Sequence, residues 1–309
     1  MDPQLIEVSC AGAAGPHVMR IQTWGKTDPN RAVICVHGLT RISDDFLRVA
    51  EALADNHWVI CPDVAGRGRS DWLSEPNHYH LGQYAHDMHT MAVALALGPC
   101  HWVGTSMGGL IGMLLAGSPT RQSDYPKLVL QSLLLNDVGA VINGEALQRI
   151  GKYLGANPLI ESIPKAEELI RKIFSGFGAL SDSDWAMLTR SVIRPDGDGW
   201  RFHYDPRIAD AFQSSLPEPS TKISDVSLWP LFEAIDIPAL VVRGAQSDLL
   251  TDAVAKEMVL RGRSTSLVTL EGVGHAPPLL DAQQVGLVVD WVRSQDQRLP
   301  PVSNNQVWR

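Results

Sequence analysis

Ser106 lies in the stretch His101-Trp102-Val103-Gly104-Thr105-Ser106-Met107-Gly108-Gly109-Leu110-Ile111-Gly112, whose residue types suit nucleophilic chemistry. The spacing Gly104-x-Ser106-x-Gly108 predicts a buried strand, a sharp turn with the serine at its apex, and the start of a helix. The glycines have a steric reason. The nucleophile is held in a strained backbone conformation, and a Cβ two residues before or after it would strike the neighbouring strand or helix. Gly109 and Gly112 continue a small face on which the helix can approach a sheet. Met107 would open that helix with its N–H free to face a developing oxyanion.

A serine hydroxyl is a poor nucleophile at neutral pH. It needs a base with a pKa near the working pH, which is histidine, and the imidazole needs an acid to fix its tautomer and stabilise its protonated form. The elements that must bring such groups together are continuous apolar runs, suited to strands covered on both faces. They are Ala32–Val36, Trp58–Cys61, His101–Thr105, Lys127–Leu135, Ala239–Arg243 and Ser266–Leu270. Helical spacing follows at Asp44–Asn56, Leu81–Leu97, Asp252–Leu260 and Gln283–Ser294, and two edge strands are expected at Leu5–Cys10 and His17–Trp24. Alternating strands and helices imply a mostly parallel sheet whose strand C-termini share one edge. On that edge fall His37-Gly38-Leu39, Ser106, Asp248 and His275.

Between Val138 and Trp229 the alternation stops. Helical stretches are expected there at Gly144–Leu154, Pro164–Phe174, Ser183–Val192 and Pro206–Gln213, with a turn at Pro195–Gly199. The organisation read from the chain is a first core part at 1–137, a helical insertion at 138–229, a second core part at 230–296 and a tail at 297–309 that looks poorly ordered.

Composition narrows the function classes. A hydrophobic fraction of 45% with 19% charged residues is that of a soluble globular protein. The net charge of −8 and the lack of a basic cluster give no support to nucleic-acid binding. No apolar run reaches the ~18 residues of a membrane span, and the N-terminus does not read as a signal peptide. The four cysteines show no zinc spacing, Cys35 and Cys61 read as buried thiols, and the pattern fits the cytoplasm. Ala65-Gly66-Arg67-Gly68-Arg69-Ser70 is glycine-rich but lacks the ending of a nucleotide-binding P-loop. His78, His80, His86 and His89 lie close in sequence, and a hydrogen-bonded cluster is a better reading than a metal site.

The chain resembles the α/β-hydrolase fold superfamily, and within it the bacterial branch of serine esterases, lactonases and carbon–carbon bond hydrolases with a helical cap. The resemblance runs from about Arg20 to Ser294. It rests on Val36-His37-Gly38, Asp63–Ser70, Gly104–Gly109, Arg243-Gly244-Ala245-Gln246-Ser247-Asp248 and Gly272-Val273-Gly274-His275-Ala276. It implies an eight-stranded, mostly parallel sheet flanked by helices. Ser106 would be the nucleophile, His275 the general base and Asp248 the orienting acid, in the chain order Ser…Asp…His. The oxyanion hole would be the backbone N–H groups of Leu39 and Met107. Asp248 is expected on its Gly-x-x-Ser-Asp setting, and Asp137, at the end of the preceding core strand, is the competitor. With serine at the elbow, the aspartate-dependent haloalkane and epoxide chemistries of this fold are disfavoured.

The resemblance also implies that the insertion caps the site. Gly38, Trp185 and Trp200 are candidate substrate contacts, and Met187, Phe174, Phe177 and Phe202 are further pocket candidates; Arg190 and Arg194 stand four apart on one helical face. The expected function is hydrolysis of a small-molecule carboxylic ester through an acyl-enzyme, without cofactor or metal. The alternatives are an enol-lactone or ring-cleavage-product carbon–carbon hydrolase, against which Thr105 argues mildly, and a ligand-binding receptor. A homodimer is a further expectation.

Overall fold

In the computed structural model, residues 2–118, 128–214 and 224–297 are described, and the expectation for the tail at 298–309 lies outside them. The chain opens with β1 (Gln4–Cys10), β2 (His17–Trp24), β3 (Ala32–Val36), α1 (Leu47–Leu53), β4 (Trp58–Pro62), α2 (Leu81–Ala94), β5 (Cys100–Thr105), α3 (Met107–Gly117) and β6 (Leu130–Asn136). The intervening segment carries β7 (Val141–Ile142), α4 (Gly144–Tyr153), α5 (Ile163–Ile173), α6 (Asp182–Val192), β8 (Ile193–Asp196), β9 (Gly199–Phe202), α7 (Ile208–Ser214), β10 (Val226–Ser227) and α8 (Trp229–Glu233). The core then resumes with β11 (Ala239–Gly244), α9 (Asp252–Arg261), β12 (Thr265–Leu270) and α10 (Ala282–Asp296).

Eight strands form one sheet in the order β1-β2-β4-β3-β5-β6-β11-β12. The β1–β2 and β2–β4 pairs are antiparallel, and the remaining pairs are parallel. The apolar runs form central strands because both faces are covered. In β3 every residue is buried, and the side chains alternate between two cores as the pleat requires. Val33 and Cys35 pack with Val49, Leu53, Val288 and Val292 of α1 and α10. Ile34 and Val36 join the core that holds Met88, Met91, Ile111 and Met113 of α2 and α3.

Between β6 and β11 the helices α4 to α7 lie within one or two residues of the expected ranges, and α4, α5 and α6 start with side-chain caps. Asn143, Ser162 and Ser181 accept hydrogen bonds from Ala146, Lys165 and Asp184 backbone N–H groups respectively. The segment is not purely helical. The Pro195–Gly199 turn is the tip of a β8–β9 hairpin, and β7 pairs with β10 where the chain leaves and rejoins the core. Among the described residues no helix is long and apolar enough to cross a membrane. All four cysteines are buried free thiols.

Candidate active site

Ser106 stands between β5 and α3 with φ 51° and ψ −111°, a backbone conformation that a residue with a side chain seldom adopts. The neighbours leave no alternative path. A Cβ on Gly108 would lie 2.0 Å from the Val36 carbonyl oxygen, and one on Gly104 would lie 2.4 Å from the Gly108 carbonyl carbon. Ser106 N–H donates to Asn136 O at 2.9 Å, which ties the turn to the end of β6. The turn therefore lifts the serine side chain clear of the sheet edge.

His275 reaches the serine from the loop after β12, with Nε2 at 3.1 Å from Ser106 Oγ. Its other nitrogen, Nδ1, is 2.7 Å from Asp137 Oδ2. A carboxylate only accepts, so Nδ1 carries the proton and Nε2 is left as the acceptor for the serine hydroxyl. Asp137 follows β6 directly, is fully buried and has φ 58°. Gly244 N–H donates to its Oδ1 at 2.9 Å and Ser247 Oγ to its Oδ2 at 2.6 Å. The histidine loop is held as well, since Asn136 Nδ2 donates to Pro277 O at 2.9 Å and Gly274 N–H to Gly176 O at 2.6 Å.

This geometry corrects the expectation for Asp248. Its carboxylate faces away from His275 and accepts from Arg149 Nε at 2.7 Å and Nη2 at 3.0 Å. Its side chain is 49% exposed. The cause is the tight turn that follows β11, closed by Ser247 N–H to Gly244 O at 2.9 Å. That turn aims Ser247 inward at Asp137, and the next side chain projects outward.

The loop after β3 is fixed by His37, a fully buried imidazole. Val64 N–H donates to its Nε2 at 3.0 Å, so Nδ1 carries the proton and donates to Gly38 O at 2.7 Å. Burial pushes the His37 pKa down to about 4, which keeps this arrangement neutral. Arg41 N–H also donates to Gly38 O, at 3.2 Å. With that carbonyl turned toward His37 and Arg41, the N–H of the same trans peptide, that of Leu39, points the opposite way. The Leu39 carbonyl in turn accepts from Arg67 Nε at 2.9 Å. Met107 is the first residue of α3, so its N–H has no acceptor within the helix.

The sequence profile of the Alpha/beta hydrolase family matches residues 33–286. The chain belongs to that family. It is 43% identical over 289 residues to a 3-hydroxybutyrate-oligomer hydrolase of Cupriavidus necator, covering 92% of this chain and 96% of that one. Among solved structures it is similar to a putative hydrolase from Rickettsia typhi, with TM-score 0.83, 28% identity and coverage of 95% and 99% of the two chains. It is also similar to an alpha/beta hydrolase from Novosphingobium aromaticivorans, with TM-score 0.82, 28% identity and coverage of 94% and 98%.

In this hydrolase Ser106 opens on two cavities of different character. One, of about 100 Å³, is lined by Gly38, Arg41, Arg149, Phe174, Phe177 and His275 among others. The second, of about 530 Å³, is largely apolar, with Leu39, Met107, Leu110, Leu147, Ile150 and Phe212 among its walls. The segment between β6 and β11 thus supplies walls to both. Phe174 also lines an adjoining apolar cavity of about 210 Å³, together with Phe202.

Trp185 and Trp200 line none of these cavities and are not brought to Ser106. Trp185 is buried in α6 with the Arg171 guanidinium stacked on it in cation–π fashion, its Cζ 5.3 Å from the ring centroid. Trp200 is consumed by backbone pairing with Ile160 and by packing against the core. Met187 packs within the same core, and Arg194 stacks on Trp72 at 5.5 Å, so neither they nor Arg190 line the cavities.

The clustered histidines serve the fold. His80 caps α2 by accepting from Gln83 N–H at 3.1 Å, His86 Nε2 lies 2.6 Å from Ala11 O, and His89 accepts from Leu128 N–H at 3.3 Å. Two other groups, Cys10-His17-Asp87 and His57-His101-Asp296, bring metal-type ligand atoms within 4.8 Å of one another. In both, histidine–carboxylate pairing already occupies these atoms, with His17 at 3.1 Å from Asp87 and His57 at 2.9 Å from Asp296. Arg41 and Arg149, which do line the serine cleft, were not legible as site residues. Neither sits in a motif, and only the fold carries them to Ser106.

Proposed function

We propose that this chain is a serine hydrolase that cleaves carboxylic esters of the 3-hydroxybutyrate-oligomer type through an acyl-enzyme. The observation that carries the reading is the continuous chain of contacts from Ser106 Oγ to His275 Nε2 at 3.1 Å and from His275 Nδ1 to Asp137 Oδ2 at 2.7 Å. The 43% identity to a 3-hydroxybutyrate-oligomer hydrolase over nearly the whole chain supports the substrate class. The insertion, 138–229, acts as the cap in this reading.

The steps follow from the geometry. His275 Nε2 takes the Ser106 proton as Oγ adds to the ester carbonyl. Negative charge gathers on the former carbonyl oxygen, which the Leu39 and Met107 N–H groups hold. Asp137 stabilises the imidazolium and keeps its orientation. The imidazolium then gives its proton to the departing alcohol oxygen, and the serine ester remains. Water, deprotonated by the same nitrogen, attacks that ester and releases the acid and the free serine. No cofactor is required for these steps. Four free, buried thiols support a reducing, cytoplasmic setting.

The test is turnover of 3-hydroxybutyrate dimer and trimer, and of p-nitrophenyl butyrate, by the wild type and by Ser106→Ala. The expected loss in kcat is roughly 10⁴-fold or more, with the fold unchanged. Ester turnover that survives the substitution would overturn the assignment.

A further inference from the structure

Arg41 is a charged side chain with only 6% of its surface exposed, and it lines the same small cleft as Ser106 and His275. Its Nε donates to both oxygens of Asp45, at 3.1 and 2.8 Å, and its Nη2 donates to the same carboxylate. That edge of the guanidinium is satisfied. Its Nη1 is buried and has no hydrogen-bond partner among the described residues. The Phe174 ring lies against the guanidinium, 5.0 Å from Cζ to the centroid. Gly38 separates the arginine from the serine. A Cβ at Gly38 would be 3.7 Å from Arg41 Cγ and 3.9 Å from Ser106 Cβ, so the two residues stand one small residue apart.

The chemistry fixes which part of a substrate meets Arg41. The leaving oxygen must face His275, the group that protonates it. His275 lines the small cleft with Arg41 and Arg149, whereas the walls of the large cavity are largely apolar. The acyl chain therefore suits the large cavity, and the leaving alcohol suits the small one. When the terminal ester of a hydroxyacid oligomer is cut, the leaving alcohol is itself a short acid that carries a carboxylate. A planar guanidinium with an unused donor is suited to that group.

We infer that Arg41 reads the carboxylate of the leaving hydroxyacid through Nη1 and so directs the enzyme to anionic, short hydroxyacyl esters. This rests on the ester-hydrolase reading above. Arg41 is a specificity residue here, and it takes no proton in the reaction. A site built around a buried donor discriminates against substrates that leave the donor poorly paired.

The experiment compares two 3-hydroxybutyrate dimers, one ending in the free carboxylate and one in the neutral carboxamide. Cleavage of the internal ester is followed by chromatography. The wild type is expected to show a kcat/KM at least about tenfold higher on the acid. Arg41→Gln should collapse that ratio to within about threefold, through KM more than kcat, and Arg41→Lys should restore part of it. Labelling of Ser106 by an uncharged phosphonate reports whether each variant keeps a folded, competent nucleophile. If the variant cleaves both dimers and the ratio stays as in the wild type, Arg41 does not read the carboxylate, while the ester reading stands. Equal loss on both dimers also overturns the role, because a scaffold defect does not distinguish acid from amide. If the wild type cleaves neither dimer yet turns over p-nitrophenyl butyrate, the role of Arg41 falls and the ester reading stands; if it turns over none of them, both fall.

Discussion

His275 Nδ1 donates to Asp137 Oδ2 over 2.7 Å, and the carboxylate of Asp248 is instead held by Arg149 at 2.7 Å. The two acids therefore predict different losses. Asp137→Asn should lower kcat by roughly 10³–10⁴, because the amide presents the wrong partner to the Nδ1 proton. Asp248→Asn should lower it by less than about tenfold, through the disturbance of Arg149 in the cleft. Steady-state ester hydrolysis by both variants checks this. A larger loss from Asp248→Asn would reverse the assignment.

The sheet was legible because buried strands need continuous apolar runs and the helices between them need apolar spacing. The serine turn was legible because its glycines answer a steric demand, seen here as a 2.0 Å approach to the Val36 carbonyl for any Cβ at Gly108. The acid was not. Asp137 and Asp248 both follow core strands, and the motif favours Asp248. The decision lies in the turn after β11, where Ser247 fills the inward position and donates to Asp137 at 2.6 Å. No local pattern encodes that direction. The expectation for Trp185 and Trp200 failed for a related reason, since these aromatics pack into and against the core that covers one face of the sheet.

Gly108→Ala should not yield a stable active enzyme. A methyl group at 2.0 Å from the Val36 carbonyl oxygen requires the backbone of β3 or α3 to move. Overpacking of this kind costs about 3 kcal/mol or more. Thermal unfolding should show a clear loss of Tm together with loss of ester turnover, whereas Gly286→Ala, where a Cβ meets nothing within 4 Å, should keep both.

Ser247→Ala removes a donor from Asp137 without touching Ser106 or His275. The carboxylate then loses one of the two donors that hold it toward His275 Nδ1. The kcat of ester hydrolysis should shift down by about three- to tenfold, because the acid that orients His275 is held less firmly. The same hydroxyl accepts from Leu250 N–H at 3.2 Å, so a modest loss of Tm should accompany the shift. An unchanged kcat with lowered Tm would leave Ser247 as a turn residue alone.

His37 predicts an acid sensitivity of the fold. Burial holds its pKa at about 4 in the folded chain, below the ordinary value of 6.5. The unfolded chain thus binds more protons between these values, and stability falls as pH drops through that window. The contribution is complete above pH 6.5 and is lost toward pH 4, to a limit of about 3 kcal/mol. His17 has the opposite sign. Burial disfavours its charged form, but the Asp87 carboxylate together with hydrogen bonds to Cys10 and the Gly15 carbonyl raises its pKa to about 10. Its contribution is therefore full below pH 6.5 and is lost as pH rises through 10. Urea midpoints should fall on both sides of neutrality. In His17→Gln the alkaline decline should flatten while the acid decline remains. An alkaline decline that is unchanged in that variant would show that the His17–Asp87 pair does not set it.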